Sequence, residues 1–180
     1  MKGRQGFTII ETMIVIAILM IGAILATSTF QSWLGHYSAV DFQREFLSQV
    51  NEARTRSMGS NLQHRLLIDL DAGRVTLQRG NAGTGSAAWM NAEQQLGATR
   101  GAGINDITST PGPLTANSGT RALIFNPGGQ VLIQTDTADN TTISPLTQAD
   151  VHLSAGVTAD RTTIRLFGWT SRARLYNGWL

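Results

Sequence analysis

The feature of this 180-residue chain that most restricts its fold is an uncharged apolar run near the amino terminus. Residues 12–35 carry no charge, and residues 12–30 are 19 positions rich in Ile, Leu, Met and Ala. A helix of that length rises about 28 Å, close to the roughly 30 Å hydrocarbon core of a bilayer. The run can therefore span a membrane. Lys2 and Arg4 precede it, so the positive-inside rule leaves the amino terminus in the cytoplasm and sends the body of the chain outward. Glu11 stands at the mouth of the run. A bare carboxylate in lipid costs about 2.5–3.5 kcal/mol or more, so something must offset it.

Hydropathy alone leaves two readings open. A signal peptide would place a small-residue cleavage site after the apolar region, and "ATSTF" at residues 26–30 is a weak candidate. A simple uncleaved anchor fits the same pattern.

Local order narrows the choice. In "GFTIIETMIVIAIL" (residues 6–19), a short basic leader ends in Gly6, Phe7 and Thr8 follow, and Glu11 stands four residues after Phe7, ahead of the unbroken apolar stretch. This resembles the prepilin signature of type IV pilins and type II secretion pseudopilins. The resemblance implies that a membrane prepilin peptidase cuts between Gly6 and Phe7 and methylates the new amino group of Phe7. It also implies that the amine, a cation in the same apolar layer, pairs with Glu11 of a neighbouring subunit and sets register for assembly. An opposite charge removes most of the cost of an isolated buried one. In one respect the chain departs from the pattern: Ser28 stands where such pilins often carry a proline. A straighter helix is expected there.

Past residue 30, apolar residues persist at helical spacing, with Trp33, Tyr37 and Val40 in one row and Phe42, Phe46, Val50 and Ala53 in another. Gly59 and Asn61 supply a stop. One helix of about 50 residues is predicted, its second half packed on a sheet. The period then changes to two. "RLLIDLDAGRVTLQRG" (residues 65–80) reads as a hairpin turning at Asp71-Ala72-Gly73, and "TRALIFNPGGQVLIQT" (residues 120–135) as another turning at Asn126-Pro127-Gly128-Gly129. Further strands are expected at residues 151–154, 162–167 and 170–176, and long surface loops at residues 80–119 and 136–150.

The expected class is α+β: one long amino-terminal helix on an antiparallel β domain of about six or seven strands. The order resembles the GspH/FimT branch of the pilin superfamily, as do the "IFNPGG" turn and the arginine-bearing final hairpin. The resemblance implies four regions: a leader peptide at 1–6, a transmembrane or filament-core half-helix at 7–34, an amphipathic half-helix at 35–59, and an exported β domain at 60–180. It implies a bacterial inner-membrane protein, single-pass, with its β domain periplasmic, that later enters a pilus or pseudopilus. Other pilins or pseudopilins, the prepilin peptidase and the membrane are the partners so implied. Pilus and secretion pseudopilus share the signature and stay unresolved.

Enzyme chemistry finds little footing. There is no cysteine, which removes disulfides and thiolate sites. His36, His64 and His152 are scattered, so no metal or cofactor site is signalled. No G-x-S-x-G elbow occurs, and "GNAGTG" (residues 80–85) lacks the Lys-Ser/Thr of a phosphate loop.

One charge asymmetry remains. The formal charge is +2, and without Lys2 and Arg4 the rest balances 12 Arg against 12 acids. After Asp160, however, the tail holds Arg161, Arg165, Arg172 and Arg174 and no acid. Arg172 and Arg174 share one face of a strand, interleaved with Trp169, Tyr176 and Trp179. Forked guanidinium donors and aromatic rings are the means of gripping phosphates and bases. "GWTSRARLYNGWL" (residues 168–180) is also similar to the Gly-Arg-x-Arg element of FimT-type minor pilins that bind DNA, with Ser171 in place of the Gly. DNA is thus an alternative partner, set against arginines that simply pair with acids of the same or an adjacent subunit.

Overall fold

The computed structural model describes residues 8–97, 102–110, 114–138, 142–154 and 161–179, with all their side chains except those of residues 26–33, 35, 93, 94 and 114. Contacts divide the chain into two units, Met1–Leu34 and Gly35–Leu180. Helix α1 (Ile9–Ser60) contributes to both. No proline falls within its 52 residues, so the hydrogen-bond ladder meets no break, at Ser28 or elsewhere. It stops where expected. Asn61 takes a left-handed φ of 55°, the conformation that commonly closes a helix.

In the first unit every described side chain from residue 8 to residue 25 is exposed, and all but Thr8, Glu11 and Thr12 are apolar or glycine. No helix among the described residues is long and apolar enough to cross a membrane. The expected span runs on through residues 26–30, whose side chains lie outside the described ones.

In the second unit the carboxyl half of α1 carries the core row Phe42, Phe46, Val50 and Ala53, none more than 4% exposed. The companion row does not pack this way. Tyr37 is 49% exposed, Val40 is half-buried, and the Trp33 side chain is among those not described.

Eleven strands follow among the described residues, not six or seven: β1 (His64–Asp69), β2 (Arg74–Gly80), β3 (Trp89–Gly97), β4 (Gly103–Thr110), β5 (Leu114–Ala116), β6 (Thr120–Phe125), β7 (Val131–Gln134), β8 (Ile143–Pro145), β9 (Gln148–Ser154), β10 (Thr162–Phe167) and β11 (Arg172–Asn177). They form a six-stranded sheet ordered β3-β2-β1-β6-β7-β8 and a five-stranded sheet ordered β11-β10-β9-β4-β5. All pairings are antiparallel. The two predicted hairpins are β1–β2 and β6–β7. Asp69 Oδ1 accepts from the N–H groups of Asp71 and Ala72 in the first turn, and Gly129, at φ 84°, closes the second.

The supposed loops at residues 80–119 and 136–150 are corrected by β3, β4, β5, β8 and the start of β9. Their alternation is hard to read for physical reasons. Pairing of β4 with β9 shifts register between Ile104 and Asp106, which breaks the period of two. β5 and β8 have only three residues each.

Both sheets turn their apolar faces to one core: Leu66, Ile68, Leu77, Leu123 and Phe125 from the first, Ile107, Val151, Leu153, Ile164 and Leu166 from the second, and the α1 row. Two polar contacts fix the helix on both. Ser57 Oγ donates to Phe125 O at 2.8 Å, and Gln43 Nε2 donates to Thr162 Oγ1 at 2.6 Å.

Candidate functional site

At the amino end, Gly6 and Phe7 lie outside the described residues. Thr8 stands just before the first helical residue, and its Oγ1 accepts the Glu11 N–H at 3.3 Å. Thr8-Ile9-Ile10-Glu11 thus has capping-box spacing. The carboxylate sits in the first turn of α1, where the positive end of the helix dipole favours it. The cap is a second answer to the cost of Glu11, and one the sequence reading missed although S/T-x-x-E spacing signals it.

At the other end, β10 and β11 form the expected hairpin, and its register separates the four candidate arginines. Arg165 lies opposite Arg174 on one neighbour and Asp150 on the other. Its Nε and one terminal nitrogen each donate to an Asp150 oxygen at 2.8 Å, a forked pair. That hydrogen bond holds the Arg165 proton more tightly than usual. Its guanidinium also lies 5.4 Å from the Tyr176 ring centroid. Arg161 stacks on Trp179 at 4.2 Å. Arg172 and Arg174 are exposed. Arg174 lies 6.0 Å from the Phe167 ring, and among the described residues no carboxylate pairs with either.

The same outer face of the second sheet holds a cluster that sequence gave no sign of. His152 Nδ1 stands 2.5 Å from Asp106 Oδ1, its Nε2 is buried with no partner among the described residues, and Trp179 lies over the ring at 5.6 Å. Trp179 is held by its indole N–H, which donates to Leu153 O at 3.2 Å. Asp106 and His152 are 46 residues apart, so only the β4–β9 pairing brings them together.

A second unforeseen group lies on the first sheet. Arg65 is 7% exposed and donates to Gln78 Oε1 at 2.6 Å and Gln134 Oε1 at 3.0 Å, beneath the Trp89 ring. Burial pushes its guanidinium down to about 10, so it stays charged at neutral pH, held by neutral groups. Among the described residues no three His, Asp or Glu side chains gather as metal ligands.

Comparison with known proteins bears mainly on the amino end. Residues 1–27 match the family described as the prokaryotic N-terminal methylation motif. The match covers the leader and the start of α1 and does not reach the β domain. Among curated proteins nothing matches. Among solved structures the chain is similar to the minor pseudopilin EpsH from the type II secretion system of Vibrio cholerae. One such structure shows 15% identity over 77% of this chain and 94% of that one, with a TM-score of 0.47. Another shows 16% identity over 79% and 95%, with a TM-score of 0.46.

Proposed function

We propose that this chain is a minor pilin or pseudopilin, a non-enzymatic subunit of a type IV pilus or a type II secretion pseudopilus. One observation carries the reading. Within the residues that match the methylation motif, α1 holds only apolar residues and glycine from residue 13 to residue 25, all of them exposed in the single chain. Such a helix needs an apolar surround, supplied first by lipid and then by other helices. The subunit waits in the inner membrane, amino terminus cytoplasmic and β domain periplasmic. A prepilin peptidase cuts between Gly6 and Phe7, and the Phe7 amine becomes methylated. In the filament that amine faces Glu11 of a neighbour. Helix packing and this pairing drive assembly, because lipid already solvates the apolar surface.

The test is mass spectrometry of chain recovered from native membranes together with fibre incorporation of Glu11→Gln. A mature amino terminus at Phe7 bearing one methyl group, and loss of incorporation for the variant, are expected. An intact leader, or wild-type incorporation of Glu11→Gln, would overturn the reading.

DNA uptake through the terminal arginines draws weaker support. Two of the four, Arg161 and Arg165, are committed to Trp179 and Asp150. Salt-titrated duplex binding, with and without Arg172→Ala and Arg174→Ala, decides it: that role requires salt-sensitive affinity that falls in the double variant.

A further inference from the structure

Four strands form the ends of the two sheets: β3 and β8 in the first, β5 and β11 in the second. An end strand offers unpaired N–H and C=O groups to any passing chain, and proteins blunt such edges by shortness, proline, bulges or charge. β5 and β8 are three residues long, and β8 ends in Pro145. β3 is longer, but its pairing with β2 shifts register between Thr76 and Gln78. Of these devices β11 has only charge, in Arg172 and Arg174. Its six residues pair with β10 in unbroken register and contain no proline, and no described strand flanks its other side.

The side chains on β11 favour a particular occupant. On one face Arg172 and Arg174 project without a carboxylate partner among the described residues. On the other, Leu175 is 44% exposed although its neighbour Ile164 is fully buried. The adjoining turn presents Trp169, 69% exposed. We propose that β11 is a docking edge that takes up an extended, acidic segment of a second protein as an added strand. Carboxylates opposite Arg172 and Arg174 complete the unpaired charges, and an apolar residue on the alternate face covers Leu175.

A second copy of this chain does not fit. Two β11 strands paired antiparallel about a two-fold axis bring arginines of one against arginines of the other on the same face, and like charges directly opposite destabilise the pair. The arginines thus guard the edge against self-association while leaving it open to an acidic strand. The proposal stands independently of the filament reading, since it concerns the β domain alone.

The test uses the full chain in detergent micelles and a labelled peptide of about eight residues alternating glutamate and valine. Three controls accompany it: the same peptide with alternate backbone nitrogens methylated, a lysine-valine peptide, and duplex DNA of about 20 base pairs. The acidic peptide is expected to bind with salt sensitivity and to slow hydrogen exchange of those β11 amides that do not pair with β10. The methylated and lysine peptides should fail. In the variant with Arg172→Glu and Arg174→Glu, the acidic peptide should bind about tenfold more weakly or worse, and the lysine peptide should bind instead. Absence of acidic-peptide binding, or binding unchanged by backbone methylation, overturns the proposal. Duplex DNA captured in place of the peptide would give the arginines to a nucleic acid and overturn it equally.

Discussion

Ser171 occupies a position that its own chemistry resists. It sits at φ 47°, where a Cβ is penalised, and its hydroxyl is buried with no partner among the described residues. Ser171→Gly is expected to raise stability by about 1 kcal/mol, seen as a higher denaturant midpoint at unchanged slope. Gly168 shows the opposite case. A Cβ there would stand 1.7 Å from Leu146 O, so Gly168→Ala should cost about 3 kcal/mol or more by the same measurement. In sequence Gly168 falls between two expected strands and Ser171 inside the second, and neither shows its constraint. The atoms that constrain Gly168 come from another strand connection, which no local pattern reports. The capping pair Thr8 and Glu11 lies within one turn, so its spacing carried a local signal, although the sequence reading passed over it.

The elements whose burial is one-sided were the readable ones. The α1 row at Phe42, Phe46, Val50 and Ala53 repeats at helical spacing because one stripe meets the core, and Phe46 is fully buried. Phe46→Ala should cost about 3–5 kcal/mol in equilibrium unfolding. β4 was missed because its register shift at Ile104 and Asp106 spoils the alternation, and the Asp106–His152 contact was missed with it. At the start of β1, His64 is 2% exposed. Burial chiefly lowers its pKa below the ordinary 6.5, opposed by its hydrogen bond to Leu62 O and assisted by Arg56 and Arg79. The unfolded chain therefore binds the proton more readily between the lowered value and 6.5. Stability is full above that window and falls as pH drops through it. Melting temperature should decline on acidification below about 6.5, and His64→Gln should flatten that part of the profile.

For the molecule as a whole, the α+β order and the amino-terminal signature followed from hydropathy period and residue order, whereas the division of strands into two sheets did not. Long-range pairing carries no local mark. The fate of the four arginines depended on it too, since β9 supplies Asp150 to Arg165 across a pairing that sequence does not announce. The uncovered apolar stretch of α1 makes a prediction at this scale. Ile16, 52% exposed, lies midway along it, and under the proposed function Ile16→Glu places a carboxylate where lipid must accommodate it. That substitution should shift the chain out of the carbonate-resistant membrane fraction, since a charge at this depth costs about 2.5 kcal/mol or more.

The junction at Gly168 has a mechanical meaning. Its carbonyl accepts from Val131 N–H at 2.6 Å and its own N–H donates to Thr147 O at 2.9 Å, while Leu146 N–H donates to Val131 O at 3.1 Å and Thr147 N–H to Thr110 O at 2.8 Å. These stitches lace β7 of one sheet to the corner where the final hairpin of the other turns. A tug delivered through that hairpin is shared at once by both layers, so the domain should resist traction as one spliced piece instead of peeling strand by strand.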